Sequence, residues 1–257
     1  MKKLTKDVIC CHLATLMDLP EIYVCQISQR FNQVVRFIIP KRIDILTNMY
    51  SLCLASNKIN EIPICIGNLT NLERLDLDDN EISEIPKEIC NLTNLRALFL
   101  YANKIRKIPK EISNLTNLER LDLNDNEIRE IPKEICNLTN LRGLSLYANK
   151  IHKIPKEIGN LTNLERLDLD DNEISVIPPE ITGLIGLKYL ALSHNKISVI
   201  PPEIASLTNL RKCILTNNEI SEIPMEIVQL TNLETLGLIS NNILSIPKEL
   251  QHLPILI

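Results

Sequence analysis

The sequence predicts an α/β repeat fold: a horseshoe-shaped solenoid with a parallel β-sheet on its concave face and a small helical cap at its N-terminus. Two observations predict it. A block of 23 residues returns without a slip in register, and each block contains a short stretch in which apolar and polar residues alternate. A unit of this length cannot bury an apolar face alone, so the units must stack and share one core. One asparagine marks the register of nine blocks: Asn57, Asn80, Asn103, Asn126, Asn149, Asn172, Asn195, Asn218 and Asn241.

The alternating stretch of each block predicts a strand with one buried face. In one block its apolar members are Leu72, Leu75 and Leu77, and the polar residues between or after them are Arg74, Asp76 and Asp78. Isoleucines later in the block return to close the core, and the second of them is followed by proline, as in Ile85-Pro86. Proline fixes φ and donates no hydrogen bond. We therefore expect an extended return segment and no long helices on the convex side.

These residues resemble the leucine-rich repeat, whose pattern is L-x-x-L-x-L-x-x-N-x-I/L. The Ile-Pro pair that closes each block, as in Ile108-Pro109, is similar to the Ras-group intracellular subclass of that family. The resemblance covers Leu46 to about His252. It implies that the side-chain amide of the repeated asparagine bonds the backbone of the neighbouring turn and so forms a ladder. We expect residues 46–257 to form nine full repeats and a truncated tenth.

Composition limits the classes of partner and compartment. The net charge is −4 and the isoelectric point is about 5.7, which does not suit a general nucleic-acid binder. Residues 1–45 carry +3, which leaves −7 for the repeats. No run of 18 apolar residues exists, so the sequence predicts no membrane span.

Cysteine usage favours a reducing compartment. The eight cysteines are scattered rather than framed at the ends of the repeat array, and Cys90 and Cys136 occupy the same position two blocks apart, too far for a disulfide. Asp7 and His12 interrupt the apolar stretch that a signal peptide would need. We predict a cytoplasmic or nuclear protein rather than a secreted one. A secreted or surface recognition protein is the third functional alternative, and it would require an exported N-terminus.

Residues 1–45 lack the repeat, and residues 4–38 predict two or three short helices. Their arrangement resembles an F-box, with Asp18-Leu19 at the turn and Ile27-Ser28-Gln29-Arg30-Phe31 in the second part. The resemblance implies docking on a Skp-type adaptor, so that the repeats would select the substrate of a cullin ubiquitin ligase. The other interpretation is a cap that covers the first edge of the solenoid. The candidate adaptor-binding residues are Ile9, Leu13, Leu19, Pro20, Ile27 and Phe31.

Residues that point out of the predicted sheet follow a second period of 46 residues, in which acidic and aromatic blocks alternate. The chain has eight Phe and Tyr residues and no Trp, and four of the eight lie at these outward positions. Exposed aromatic rings offer rigid binding area at low entropy cost, and carboxylates beside them favour a partner that carries Lys or Arg. We therefore predict a protein-binding concave face. Its candidate residues are Arg74, Asp76, Asp78, Phe99, Tyr101, Arg120, Asp122, Tyr147, Arg166, Asp168, Asp170 and Tyr189.

A second explanation of this pattern does not require a ligand. Duplication of a 46-residue pair of blocks would copy any outward residue, whether useful or not. The arginines would then serve only to neutralise neighbouring aspartates across the sheet.

No catalytic constellation is visible, so we predict a protein that is not an enzyme and that needs no cofactor or metal. The four histidines fall in unrelated contexts and none has the spacing of a metal ligand. The six glycines are isolated, so no phosphate-binding loop is present. The paired aspartates Asp78-Asp79 and Asp170-Asp171 are better explained as solvated turn charges than as a cation site.

The last residues raise the question of a second copy. A tenth block begins at Leu253 and contains only Pro254 to Ile257 after it, without a polar outer face. Terminal repeats usually have such a face. Either this tail folds back over the last core, or the exposed edge pairs with another molecule to give an end-to-end homodimer.

Overall fold

The structure is a computed structural model that describes residues 49–256. The predicted helical cap at residues 1–45, with all six candidate adaptor-binding residues, lies outside the described residues. The described chain forms one sheet of ten parallel strands that follow each other in chain order. The strands are β1 Ser51–Cys53, β2 Arg74–Asp76, β3 Ala97–Phe99, β4 Arg120–Asp122, β5 Gly143–Ser145, β6 Arg166–Asp168, β7 Tyr189–Ala191, β8 Lys212–Ile214, β9 Thr235–Gly237 and β10 Ile255–Leu256.

The strands of β1 to β9 pair in the register that the 23-residue block predicts. Leu75 on β2 lies opposite Leu98 on β3, and Leu98 lies opposite Leu121 on β4. Equivalent residues of successive blocks therefore form straight rows across the sheet. The central leucines form a buried row, while the residues on either side of them point to the other face of the sheet. We call this second, solvent-accessible face the concave face.

Short 3₁₀ helices of three to five residues occupy the convex side, where the Ile-Pro pairs predicted an extended segment without long helices. The proline before each helix is extended, with φ −67° and ψ 142° at Pro86, and its carbonyl oxygen accepts a hydrogen bond from the N–H of Ile89 at 3.1 Å. Proline at this position cannot continue a preceding helix, so each helix starts anew and stays short. Within residues 49–256 these helices are Ile64–Asn68, Lys87–Asn91, Lys110–Asn114, Lys133–Asn137, Lys156–Asn160, Pro179–Gly183, Pro202–Ser206, Met225–Gln229 and Lys248–Leu250.

The core is one continuous apolar layer between the sheet and the 3₁₀ helices. In a typical block Leu72, Leu75, Ile82 and Ile89 are fully buried. Three cysteines take part in this layer, and burial raises the pKa of the Cys90, Cys136 and Cys213 thiols to about 12. None of the five cysteines of residues 49–256 forms a disulfide. The three buried ones act in this layer as small apolar side chains.

The repeated asparagines form the expected ladder. Asn126 is 7% exposed, and its side-chain N–H groups donate to the carbonyl oxygens of Leu100 at 2.9 Å, Leu123 at 3.1 Å and Asn124 at 3.0 Å. Its side-chain oxygen accepts from the N–H of Ile105 at 2.9 Å. Asn126 thus bonds its own turn and both sides of the preceding turn. Because strands this short leave many backbone groups unpaired, these bonds satisfy polar groups that stacking would otherwise bury without partners.

A second row of asparagines, which the sequence analysis did not identify, runs along the outside. Asn94 donates to the carbonyl oxygen of Thr70 at 2.9 Å, and Asn117 donates to that of Thr93 at 2.8 Å. The row is interrupted at Gly186, where a Cβ atom would lie only 2.8 Å from the carbonyl oxygen of Thr162. These asparagines are exposed, so water could replace each bond at little cost.

The tail after Leu253 continues the solenoid. Ile255 pairs with Leu236 and Leu256 with Gly237, parallel to β9, and Leu250 is fully buried beneath them. The predicted fold-back over the last core is therefore wrong. Parallel pairing is favoured over a fold-back because it satisfies backbone groups of β9 and at the same time covers the apolar row of that strand. The end-to-end homodimer stays a prediction.

Replacing Asn126 tests the ladder. Asn126→Ala leaves buried backbone groups of two turns without partners, so we expect the free energy of unfolding to fall by about 3 kcal/mol. The matched control is Asn117→Ala in the exposed row, with an expected loss of about 0.5–1 kcal/mol. Urea denaturation followed by circular dichroism measures both. Equal losses of stability in the two variants would show that the buried asparagine ladder contributes no more than the exposed row.

Candidate functional site on the concave face

The twelve predicted residues lie on neighbouring strands β2 to β7 or in the turns directly after them. Strands β2, β4 and β6 supply the arginines and aspartates, and β3, β5 and β7 with their turns supply the aromatic rings. The register places Asp76 beside Phe99 and Arg166 beside Tyr189. The structure therefore brings the predicted residues together on one surface. Their exposure and their partners differ from one block to the next.

Two of the arginines are held inside the face. The guanidinium of Arg74 lies 3.1 Å from a carboxylate oxygen of Asp76 and 4.2 Å from the centre of the Phe99 ring. Arg166 makes the same arrangement, 2.7 Å from Asp168 and 3.8 Å from the centre of the Tyr189 ring. The ion pairs run along one strand, and the rings come from the next strand. Cation–π stacking of this kind fixes the arginine over the ring.

This arrangement changes the interpretation of four predicted contact residues. The side chains of Asp76 and Asp168 are only 14% exposed, because their arginines cover them. Phe99 and Tyr189 are half-buried beneath the same guanidinium groups. The arginines do neutralise aspartates, as the alternative explanation supposed, but they also present a flat cationic surface stacked on a ring.

Arg120 is different, and it lies in the middle of the face. Its neighbours on the adjoining strands are Ala97 and Gly143, which offer no ring to stack on. Within residues 49–256 Arg120 forms no ion pair, and its side chain is exposed. A Cβ atom added to Gly143 would meet nothing within 4 Å. The centre of the concave face therefore contains an unpaired guanidinium beside an open gap.

A row of acidic side chains at the ends of the strands has a structural role. A carboxylate oxygen of Asp78 accepts a hydrogen bond from the N–H of Tyr101 at 2.7 Å, and Asp170 accepts one from the N–H of Ser193. Asn124 does the same for Tyr147 at 2.7 Å. These bonds fix the backbone that carries the tyrosines. The presence of Asn124 where two other blocks have aspartate was the signal in the sequence that the bond, and not the charge, is the common requirement.

Burial shifts the protonation of these acids. Loss of hydration raises the pKa of Asp78 to about 6, against a lowering effect of the bond from Tyr101. Burial also raises the pKa of Asp122 and of Asp170, with the bonds from Asn124 and Ser193 acting in the opposite direction. These carboxyl groups are therefore weaker anions than their number in the sequence suggests.

Besides the arginines, two tyrosines and three carboxylates are exposed on this side of the sheet. Tyr101 and Tyr147 are each 43% exposed. Three aspartates lie in the turns of the blocks before, between and after those of the tyrosines: Asp79, Asp125 and Asp171. They are exposed, and the sequence analysis did not include them among the contact residues. Each of the three has a left-handed backbone, with φ of 52°, 51° and 54°. Aspartate tolerates this conformation because its short side chain bonds the local backbone.

Charges beside the face are already paired. Lys104 lies 3.2 Å from Glu81 and Lys196 lies 2.8 Å from Glu173, in a row that alternates in sign from block to block. On the other border of the strands, Arg142 lies 3.0 Å from Glu165. These exposed pairs contribute little to stability. Because these pairs neutralise each other, the net charge of the site comes from the side chains of the concave face.

One shallow depression lies at the far end of the acidic and aromatic pattern. It is lined by Tyr147, Asp170, Asp171, Ser193, His194, Ile214 and Thr216. In the part of the chain from residue 49 to residue 256, no group of three His, Cys, Asp or Glu side chains could hold a metal ion. Nor do these residues include a helix with the length and hydropathy needed to cross a bilayer.

The acidic row predicts an unusual pH dependence of stability. Because the pKa of Asp78 is raised from 3.8 to about 6, its contribution to the free energy of unfolding is largest below pH 4 and is lost as the pH rises past 6. Asp78→Asn keeps the acceptor for Tyr101, so we expect it to stabilise the protein at pH 7 by on the order of 1 kcal/mol after solvent screening, and not at pH 4. Thermal denaturation at both values measures this.

Asn124→Asp is the reciprocal variant and should destabilise the protein at pH 7 more than at pH 4. If Asp78→Asn instead weakened the fold equally at both pH values, the carboxylate would be a stabilising anion and this explanation would be wrong.

Comparisons with known proteins identify the repeat. A family model described as a leucine-rich repeat region matches residues 33–144. A second, described as leucine rich repeat, matches residues 116–174, 139–197 and 162–218. Together the matches span more than half of the chain. Comparison with curated proteins finds no match.

Solved structures with the same repeat align over most of the described residues. A leucine-rich repeat protein of Leptospira interrogans has 38% sequence identity and a TM-score of 0.69, covering 83% of this chain and 60% of that one. The plant peptide hormone receptor RGFR1 in complex with RGF2 has 36% identity and a TM-score of 0.72, covering 77% and 33%. Internalin C2 of Listeria monocytogenes has 28% identity and a TM-score of 0.66, covering 74% and 81%. This chain thus spans about 60% of the Leptospira protein and a third of the plant receptor. The repeat pattern, the parallel sheet and these matches agree, and the chain belongs to the leucine-rich repeat proteins.

Proposed function

We propose that the protein binds another protein through the concave face, with Tyr101 and Tyr147 as central anchors. The observation that carries this proposal is the exposure of two large rings, 43% each, at equivalent positions two blocks apart on a rigid sheet. Their backbone is fixed by Asp78 and Asn124, so little entropy is lost when a partner covers them. Rigid aromatic residues near the centre of a surface are typical binding anchors.

Charge gives the proposed partner its chemistry. Asp79, Asp125 and Asp171 are exposed beside the tyrosines, and within the described residues none of them forms an ion pair. They favour a partner surface with Lys or Arg, and such complementarity acts mainly on the association rate and on specificity. Within the described residues, Arg120 is the one exposed cation of β2 to β7 that stacks on no ring and forms no ion pair, and it suits a single acidic or carbonyl group of the partner.

The similar proteins support binding of a polypeptide ligand in general terms. The plant receptor was solved in complex with RGF2, and its description is that of a peptide hormone receptor. This chain covers only a third of that receptor, so the likeness supports the use of the repeats and not a hormone-receptor role. No catalytic role is proposed.

We also propose that the repeats belong to the Ras-group-like intracellular subclass and that the protein is cytoplasmic or nuclear. Support comes from the Ile-Pro pairs that close the blocks and from the cysteines of the described residues, none of which forms a disulfide. Scattered, reduced cysteines are typical of proteins in a reducing compartment.

A second candidate function rests on the F-box-like pattern of residues 4–38. In that case Leu13, Leu19, Ile27 and Phe31 would contact a Skp-type adaptor, and the concave face would bind the substrate of a cullin ubiquitin ligase. Both candidates use the same face for the protein ligand. They differ in whether the N-terminal residues recruit the adaptor or cover the first repeat.

A pull-down from eukaryotic lysate with the full chain tests both candidates. We expect the double variant Tyr101→Ala, Tyr147→Ala to lose its partner, since removal of a central aromatic anchor costs about 2 kcal/mol, or roughly 30-fold in affinity. The matched control is Val176→Ala, Val199→Ala, which removes side chains that are 61% and 65% exposed but lie outside the sheet. Loss of the partner in the valine variant alone would contradict the concave-face proposal.

The same captured fractions report on the adaptor. Recovery of a Skp-type adaptor and cullin with the parent chain, and their loss with Phe31→Glu while the concave-face partner is retained, would support the substrate-receptor function. Absence of the adaptor from every fraction would leave a protein-binding scaffold.

A further inference from the structure

The exposed acids and rings beside the concave face occupy two adjacent rows of equivalent positions, one residue apart along the chain. Asp79, Asp125 and Asp171 occupy the same position of every second block, and Tyr101 and Tyr147 stand in the blocks between them. Because the strands β2 to β6 pair in register, equivalent positions two blocks apart are separated by two strand spacings, about 9.6 Å. The aspartate row therefore presents a carboxylate about every 9.6 Å, with Ala102 and Ala148 at the positions between, and the tyrosine of each intervening block precedes the alanine by one residue.

This row is rigid before any ligand arrives. All three aspartates lie in left-handed turns of nearly identical φ, and the turns are bonded to their neighbours by the asparagine ladder. The N–H of Asp79 donates to the carbonyl oxygen of Tyr101, and that of Asp125 donates to the carbonyl oxygen of Tyr147, both at 2.8 Å. The spacing of the carboxylates is thus set by backbone hydrogen bonds and not by flexible side chains.

A polyproline II helix presents side chains along one of its faces at nearly this spacing. It has three residues per turn and rises about 3.1 Å per residue, so every third side chain points the same way at intervals of about 9.3 Å. Over the two intervals from Asp79 to Asp171 the mismatch is about 0.6 Å, which side chains absorb without strain. A β-strand fails the test, because residues three apart point to opposite faces.

The rings favour the same conformation. Aromatic side chains form the grooves in which proline-rich segments dock, and such segments lose little entropy on binding because they are already extended. Tyr101 and Tyr147, each 43% exposed, lie in the blocks between those of the carboxylates and in the row beside them, where the two residues between successive cations could pack on the rings. The three carboxylates are not neutralised by ion pairs within residues 49–256, in contrast to the glutamates of the adjoining row.

We propose that the concave face binds a polyproline II segment that crosses strands β2 to β7 and carries Lys or Arg at every third residue. This inference rests on the proposed protein-binding function of the same face and specifies the ligand. One basic side chain pairs with each of Asp79, Asp125 and Asp171, and the prolines between them pack on Tyr101 and Tyr147.

Two synthetic peptides of identical composition test the spacing. One repeats Arg-Pro-Pro four times, and its isomer has the same four arginines at irregular intervals among the same eight prolines. Fluorescence anisotropy with the full chain should give an affinity for the regular peptide about tenfold higher than for the isomer, since only the regular peptide engages all three carboxylates at once. Equal affinity for the two isomers would overturn the proposal.

A matched pair of variants separates the site from general charge attraction. Asp125→Asn removes the central carboxylate but suits the left-handed turn, which Asn217 adopts at the equivalent position with φ 55°. We expect it to weaken the regular peptide about three- to tenfold and to change the isomer far less. Glu130→Gln removes an equally exposed charge outside the sheet and should change neither peptide. Equal effects of the two variants would also overturn the proposal.

The outcomes distinguish this inference from the function on which it rests. If neither peptide binds, yet the tyrosine double variant still loses its partner in the pull-down, the polyproline II ligand is wrong and the concave face remains a protein-binding surface. If the tyrosine variant keeps its partner and the regular peptide binds no better than its isomer, both proposals fail.

Discussion

The hydrogen bonds of the asparagine ladder are the interaction on which the rest of the structure depends. Strands of three residues and helices of five cannot satisfy their own backbone groups, and a 23-residue block has no core of its own. Each asparagine joins its turn to the preceding one and lets the leucine and isoleucine rows pack without burying unpaired polar atoms. The regular spacing of the strands, and so the geometry of the concave face, follows from this repeated bond.

The regular spacing of the strands explains why the concave face is an open surface with rows of side chains rather than a pocket. Side chains on a straight-registered parallel sheet stand in rows, so a feature that recurs in the sequence becomes a feature that recurs in space. The acidic row shows how one side chain can have two tasks. Asp78 holds the backbone of Tyr101, while its burial raises its pKa and reduces its value as a charge for a partner. The free charge of the site comes from Asp79, Asp125 and Asp171 instead.

The arginines show how the local environment changes one repeated residue. Arg74 and Arg166 are held by an aspartate and a ring, whereas Arg120 in the equivalent place is open because Gly143 stands where Arg166 meets Tyr189. The 46-residue period of the sequence therefore does not give three equivalent sites. A partner that spans β2 to β7 meets two stacked cations at the ends and an accessible one in the centre.

The sequence by itself determined the solenoid, the strand register, the buried leucine and isoleucine rows and the lack of long convex helices. These follow from the periodicity and the placement of proline, because every block has the same neighbours before and after it. The asparagine ladder was implied by the resemblance to the leucine-rich repeat. The tertiary structure decided which outward residues are accessible. The covering of Asp76 by Arg74, the bond from Tyr101 to Asp78 and the exposure of Asp79 depend on pairs 2 to 23 residues apart whose side chains meet only once the blocks have stacked. Alternation in a sequence gives the face on which a side chain lies, but its solvation and partners come from the residues packed beside it.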